Sequence, residues 1–304
     1  MDSLPTRLSG PADGAWWRDP RARLPAAVGL LLIGSGCIYG LIWAVAGGDW
    51  EGPVSLRKPI LFGISGGLTL LSLAWVWAQV PRRLGDRWLA GSMAAALLIE
   101  VIGIDVQQWR GVPSHFNRQT PWDSFVYDAL SLLILWVTLV AVDLTQRLFR
   151  QATPLAADML LAARAGLVLL VVSCLLGIWV NVLGELRQAA GLEPERFGAA
   201  GVPKFPHGAV IHALQWLPLF AWAARMAGCC ERVRLRMVAF ATLGTLLVGI
   251  YAVVQTMLGR SRWDATPASL PLLVSGLVLL AVPAAAIGAA FARRDSFAAS
   301  GARR

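Results

Sequence analysis

Eight apolar runs of about 20 residues each dominate this chain of 304 residues, at about 24–47, 59–80, 88–108, 123–146, 157–182, 207–227, 237–258 and 269–292. A helix rises about 1.5 Å per residue, so a run of that length matches a hydrocarbon core roughly 30 Å thick. Lipid offers the backbone no hydrogen-bond partner. A spanning segment must therefore satisfy its own N–H and C=O groups, as a helix does. These runs are far longer than the roughly 9–11 residues of a membrane strand. The expected fold is all-α: a polytopic membrane helical bundle of about eight transmembrane helices. Composition agrees, with 57% hydrophobic and only 15% charged residues, against roughly 25% charged in soluble domains. Mean hydropathy is +0.60. Pro59, Pro81, Pro121 and Pro206 mark run ends, where a helix tolerates them.

The net charge of +9 and pI near 10.4 would point to nucleic acid in a soluble protein. Here the cations fall in short segments between apolar runs, so no nucleic-acid partner is expected and the charge reports orientation instead. Of the 27 basic residues, 18 lie at the two ends, in the second, fourth and sixth connections, or just inside the adjoining runs as Arg164 and Arg225 do. The positive-inside rule then places both termini in the cytoplasm, which an even number of crossings requires. Lys58 and Lys204 are the only lysines in an Arg- and Ala-rich chain, a usage that fits a bacterial genome and hence a bacterial cytoplasmic (inner) membrane. The domain plan is a cytoplasmic tail over 1–23, a membrane domain over 24–292 and a second tail over 293–304. The first span is too long for a signal-peptide core and is expected to stay as an anchor.

Two short strings hint at duplication. Cys37–Trp43 reads CIYGLIW and Cys174–Trp179 reads CLLGIW. Each precedes an external loop that ends in a basic residue, a proline and a glycine. This sets up candidate repeats 24–146 and 157–292. Of the four cysteines, none falls in an external connection, so no disulfide framework is expected. Cys229 and Cys230 read as small residues at a helix end in preference to a metal or redox pair.

Polar residues within the spans are concentrated toward one side. The third run carries Glu100, Asp105, Gln107 and Gln108 in its outer half, and Asp128 lies about a turn into the fourth. Glu100 is about 12 Å from the outer end at about 1.5 Å per residue. A charge at that depth costs about 2.5–3.5 kcal/mol on insertion scales. Glu100 must therefore face the bundle, find a partner or carry a proton. His207 opens the sixth run, and His212 is five residues on, about 140° around a continuous helix. The inner halves are aliphatic apart from Asp143, Asp158, Arg164 and Arg225. A polar funnel open to one side is expected, with no continuous track to the other.

The third connection, Gln107 to Asp128, combines Trp109, Arg110, Ser114, His115, Phe116, Asn117, Arg118 and Asp123. Stacking and charge-assisted hydrogen bonds suit such a mixture to ligand binding; an interfacial aromatic belt accounts for the tryptophans equally well. Asp123 is placed to cap the fourth helix. The first connection ends in Arg57 and Lys58 at a helix start, where the dipole disfavours cations. Glu51, Glu100 or an anionic ligand would offset them. The fifth connection, 184–206, is long enough for a small lid. No HExxH, CxxC or HxH pattern occurs, and no metal site is expected. One or two of His115, His207 and His212 could ligate a haem. The total of three histidines excludes a four-histidine dihaem bundle.

The string Arg110-Gly111-x-x-Ser114-His115-Phe116-Asn117, following Glu100 on a helix and Lys58-Pro59 at an earlier helix start, resembles a group of uncharacterised bacterial multi-pass membrane proteins with an RGxxSHFN external loop. That resemblance implies the eight-span body and brings no activity with it. The layout of two four-helix halves is similar to haem A synthases. The chain departs from their paired helix histidines, having none in the second, fourth and eighth runs, so this similarity is architectural only.

The functional expectation is a membrane-embedded enzyme or cofactor-binding protein whose polar site opens to the external face and takes a lipid-like or anionic small molecule. Glu100, Asp105, His115 and His212 are its candidate acid/base groups or ligands. Arg57, Lys58, Gln108, Arg110, Asn117, Asp128 and His207 are its candidate binding groups. A transporter or ligand sensor using the same funnel is the alternative, and a structural partner subunit is a third reading.

Overall fold

The computed structural model describes residues 15–301, with side chains to residue 293; residues 1–14 and 302–304 of the expected tails lie outside. The described residues are helical, with no strand and one isolated bridge between Phe197 and Gly201. A short 3-10 helix, Trp16–Arg18, precedes α1 (Arg23–Ala46), α2 (Arg57–Gln79), α3 (Asp86–Trp109) and α4 (Pro121–Arg150). Then come α5 (Ala157–Ala189), α6 (Lys204–Val210), α7 (Ala213–Met226), α8 (Glu231–Met257) and α9 (Leu270–Gly301). Among the described residues seven helices are long and apolar enough to cross a membrane: α1, α2, α3, α4, α5, α8 and α9. The chain is a multi-pass membrane protein.

The expected continuous span at 207–227 is corrected. It is broken into α6 and α7, with Ile211 and His212 between them. Ile211 still donates to the His207 carbonyl, and a fresh start follows, with Gln215 and Trp216 donating to His212. Pro218 lies inside α7 and removes one backbone donor. The join is closely packed: a Cβ on Gly166 of α5 would lie 2.6 Å from the Leu214 Cα, so the start of α7 is pressed backbone to backbone against α5. The fifth connection is also shorter than expected, because α5 runs on to Ala189. What remains is tied down by Lys204 to Glu195, by Arg187 to the Glu193 carbonyl, and by Ala200 to the Gly259 carbonyl.

The chain divides into two compact units, Met1–Leu155 and Ala156–Arg304. In the first, α1 and α2 form the tightest pair, α3 packs on α4, and α3 also touches α1 and α2. Glycines let the first pair close. A Cβ on Gly67 would lie 2.4 Å from the Gly29 carbonyl oxygen, and one on Gly63 2.9 Å from the Gly36 backbone. Small residues spaced by four serve this purpose where the hydrophobic effect cannot drive helix association. In the second unit α5 packs on α6 and α7, α8 on α9, and α8 also on α5, α6 and α7. Gly244 and Gly276 bring α8 and α9 together in the same way.

One end of the first unit is closed by buried ion pairs. Asp86 (3% exposed) accepts from both terminal nitrogens of Arg147 at 2.9 Å, from Arg21 at 3.1 Å and from the Arg83 backbone at 2.8 Å. Arg21 also grips Asp19 and the Val80 carbonyl. Arg147 reaches the Pro81 carbonyl and lies over the Trp77 ring. The start of α1, the α2–α3 connection and the end of α4 are thereby joined. In the second unit the fully buried Asp158 holds Arg225 at 2.9 Å and Arg234 at 2.7 Å. The sequence marks these arginines only as orientation charges; buried ions persist when paired and hydrogen-bonded.

Candidate functional site

Both acids singled out on α3 are buried: Glu100 is 3% and Asp105 8% exposed. They are five residues apart, so they project about 140° from one another around the helix. Leu97 and Val101 lie nearest Gly66 of α2, Gly103 faces Leu130 of α4, and Asp105 faces Tyr39 of α1. Glu100 therefore falls on the side of α3 between α2 and α4, and Asp105 on the side toward α1. Among the described residues no hydrogen-bond donor or cation reaches the Glu100 carboxylate. One Asp105 oxygen, Oδ1, is likewise buried without a partner. An unpaired ionised carboxylate in an apolar interior is costly enough that such a group is kept neutral or is balanced by something that binds.

The basic groups expected to hold an anion are largely engaged by the chain's own acids. Arg57 pairs with Glu51 at 2.6 Å. Arg110 pairs with Asp123 at 2.7 Å and bonds Gln107. Asp128, about two turns into α4, lies on the surface with its carboxylate bonded to Arg118 at 2.9 and 3.2 Å. Lys58 is buried, at 8% exposed. Gln107, fully buried, donates to Asp123 at 3.0 Å. It takes the place expected of Gln108, which is half-buried one residue further round the helix. Asp123 is not the cap of α4. The cap is Thr120, whose hydroxyl accepts from the Asp123 N–H at 3.1 Å and donates to its carboxylate at 2.6 Å.

The α3–α4 connection is a compact, internally bonded structure. Asn117 (2% exposed) donates to the Pro113 carbonyl and accepts from the Gln119 N–H. Both bonds hold the turn in shape. His115 Nδ1 is 2.9 Å from the Ser114 hydroxyl, and its ring lies between Phe62 at 5.6 Å and Tyr127 at 6.2 Å. Arg118 covers the Tyr127 ring at 5.0 Å. Phe116 has φ 55, in the left-handed region, which a bulky residue occupies only where surrounding structure holds it. Strain of that kind concentrates at ligand clamps and functional loops.

The other two histidines belong to the second unit. His207 Nδ1 lies 2.8 Å from the Ser173 carbonyl and 3.0 Å from its hydroxyl. His212 ends the helix break as the residue preceding α7, and its side chain bonds Gln215. The 140° separation calculated for a continuous helix does not apply across the break. A cleft of about 180 Å³ in this unit is lined by Leu176, Trp179, Pro206, Val253, Thr256 and Met257. None of the three histidines weighed as haem ligands lines it. Among the described residues no group of three or more His, Cys, Asp or Glu is placed to hold a metal ion.

Sequence reasoning missed Tyr39 and Ser55 in the first unit, and noted Gln107 without assigning it a role. Tyr39 is 8% and Ser55 4% exposed. Tyr39 lies in an apolar run as an ordinary aromatic, and only the packing of α1 on α3 brings it to Asp105. No family model, curated protein or solved structure matches the chain.

Proposed function

We propose that this is a membrane-embedded protein of the bacterial inner membrane, both termini cytoplasmic, whose site lies in the first unit around Glu100 and Asp105 and handles protons or a cationic group on a lipid-like or anionic ligand. The observation that carries this reading is Glu100: a carboxylate deep in α3, 3% exposed, with no donor or cation against it among the described residues. A general acid or base must change its protonation during turnover. A carboxylate already locked by arginine, as Asp86 and Asp123 are, is poorly suited to that. The closed end, with Arg21, Asp86 and Arg147 interlocked over Trp77, supports access from the opposite side, through the α1–α2 and α3–α4 connections. The charge bias of the sequence supports calling that side external. The resemblance carried by the Arg110–Asn117 string points to the same class of bacterial membrane proteins.

The test is complementation of a chromosomal deletion by Glu100→Gln and Glu100→Asp, with mass spectrometry of lipids and quinones that co-purify with each. Loss of complementation by Gln, partial rescue by Asp, and a co-purified molecule depleted in the Gln variant are expected. Full complementation by Glu100→Gln refutes the acid/base role.

A transporter or sensor is the second reading. The α6–α7 break supports it, because interrupted helices at membrane depth typically line a ligand or ion site. Substrate-dependent flux into proteoliposomes without chemical change of the substrate would select it.

A further inference from the structure

We propose that Asp105, with Tyr39 and Trp109 around it, is an ammonium subsite that takes a protonated amine of the ligand at the end of α3. The proposal rests on the reading above that the site handles a cationic group, and names that group and the residue that holds it.

Asp105 stands one turn before Trp109, the last residue of α3. It therefore lies about 6 Å from that helix end, at about 1.5 Å per residue. It is 8% exposed, and its Oδ1 is buried with no hydrogen-bond partner among the described residues. A proton does not cure this. Whichever oxygen carries it, Oδ1 remains an unbonded acceptor or becomes an unbonded donor, and a buried polar atom in either state is costly. An ammonium meets both needs at once: its N–H groups donate to Oδ1, and its charge balances the carboxylate.

The second observation is the aromatic surround. Tyr39 of α1 is also 8% exposed and meets the side chains of both Asp105 and Trp109. Trp109 follows Asp105 by four residues, on the same face of α3. A helical side chain leans back over the turn before it, so the Trp109 ring covers the approach to Asp105 from the helix end. That ring is 74% exposed. Exposed side chains change rotamer quickly, and such a swing opens the way to Oδ1. Trp43 lies one turn beyond Tyr39 on the same face of α1, with its ring centroid 4.8 Å from that of Trp50. Carboxylate and aromatic faces together hold an ammonium, through the ion pair and through cation–π attraction. The same carboxylate repels an anion. The end of a spanning helix lies at headgroup depth, so the amine belongs to a lipid headgroup or to a free molecule.

The full chain, purified in a neutral detergent, is titrated with ethanolamine hydrochloride and separately with a short-chain phosphatidylethanolamine, reading melting temperature. Sodium chloride at matched concentration is the reference. Saturable stabilisation by at least one probe is expected. A response to ethanolamine identifies a free amine as sufficient, and a response only to the lipid identifies a headgroup. Asp105→Asn should raise the half-saturating concentration about tenfold or more, as loss of a hydrogen bond to a charged group predicts. Trp109→Leu should raise it about two- to fivefold, the range of a cation–π contact at an exposed ring. Because Trp109 is mostly exposed, Trp109→Leu should keep the ligand-free melting temperature of the parent, which separates lost binding from misfolding. No saturable response beyond that to salt, or an equal response in parent and both variants, overturns the subsite. Neither probe reports on proton transfer at Glu100, so this failure is distinct from failure of the acid/base role.

Discussion

Replacing Asp86 with asparagine preserves side-chain shape and removes the charge at the centre of the buried clamp. In the native protein its two oxygens accept four hydrogen bonds, from Arg147 twice, from Arg21 and from the Arg83 backbone. Arg21 and Arg147 are 4% and 3% exposed, so water cannot substitute for the lost carboxylate. Breaking a buried pair by deleting one partner costs about 3–5 kcal/mol. Arg21 keeps Asp19 and the Val80 carbonyl, and Arg147 keeps the Pro81 carbonyl. The loss should therefore fall at the lower end, about 3 kcal/mol. The assay is denaturant titration of the purified protein in a mild detergent, following tryptophan fluorescence; Trp77 lies under Arg147. Added salt should change the difference little, because buried pairs are weakly screened. Replacing both Asp86 and Arg147 by apolar residues of similar size should recover much of the loss. A single Asp86→Asn cost below about 1 kcal/mol, the range of exposed pairs, or one that vanishes in salt, would refute the argument.

Gly67→Leu should separate α1 from α2, since even a Cβ would lie 2.4 Å from the Gly29 oxygen; a loss of about 1–3 kcal/mol or more is expected. Gly40→Ala, with nothing within 4 Å of the new Cβ, should instead hold or gain about 0.5–1 kcal/mol, both read by the same titration. For Asp19, burial alone would push the carboxyl up, but hydrogen bonds and charge from Arg21, with Arg82, outweigh it and hold it below its ordinary 3.8. Its contribution is thus present above that value and lost as pH falls through the depressed one. The parent should lose melting temperature more steeply than Asp19→Asn on acidification below 3.8. Cys230 is exposed at the start of α8. A membrane-impermeant maleimide should label it only after cells are opened; labelling of intact cells would reverse the proposed orientation.

The helical class, the position of nearly every span and the acids buried on α3 are legible before any folding is considered. These follow from one-dimensional quantities. Bilayer thickness sets the length of an apolar run, and the cost of an ion in lipid makes Glu100 conspicuous wherever its helix packs. The sequence also showed that the Arg110–Asp128 segment was no plain connector. Partner choice was not legible. That Arg110 is held by Gln107 and Asp123, that Arg147 and Arg21 converge on Asp86, and that Tyr39 faces Asp105 depend on which helices abut, and residues up to 66 positions apart meet there. The break at Ile211–His212 is of the same kind: no glycine or proline stands at either residue, and the helix that restarts there lies close against Gly166 of α5. Hydropathy locates the spans, but among buried polar groups only tertiary packing decides which are satisfied. That decision leaves Glu100 and the Ser55 hydroxyl open while it closes most of the arginines around them.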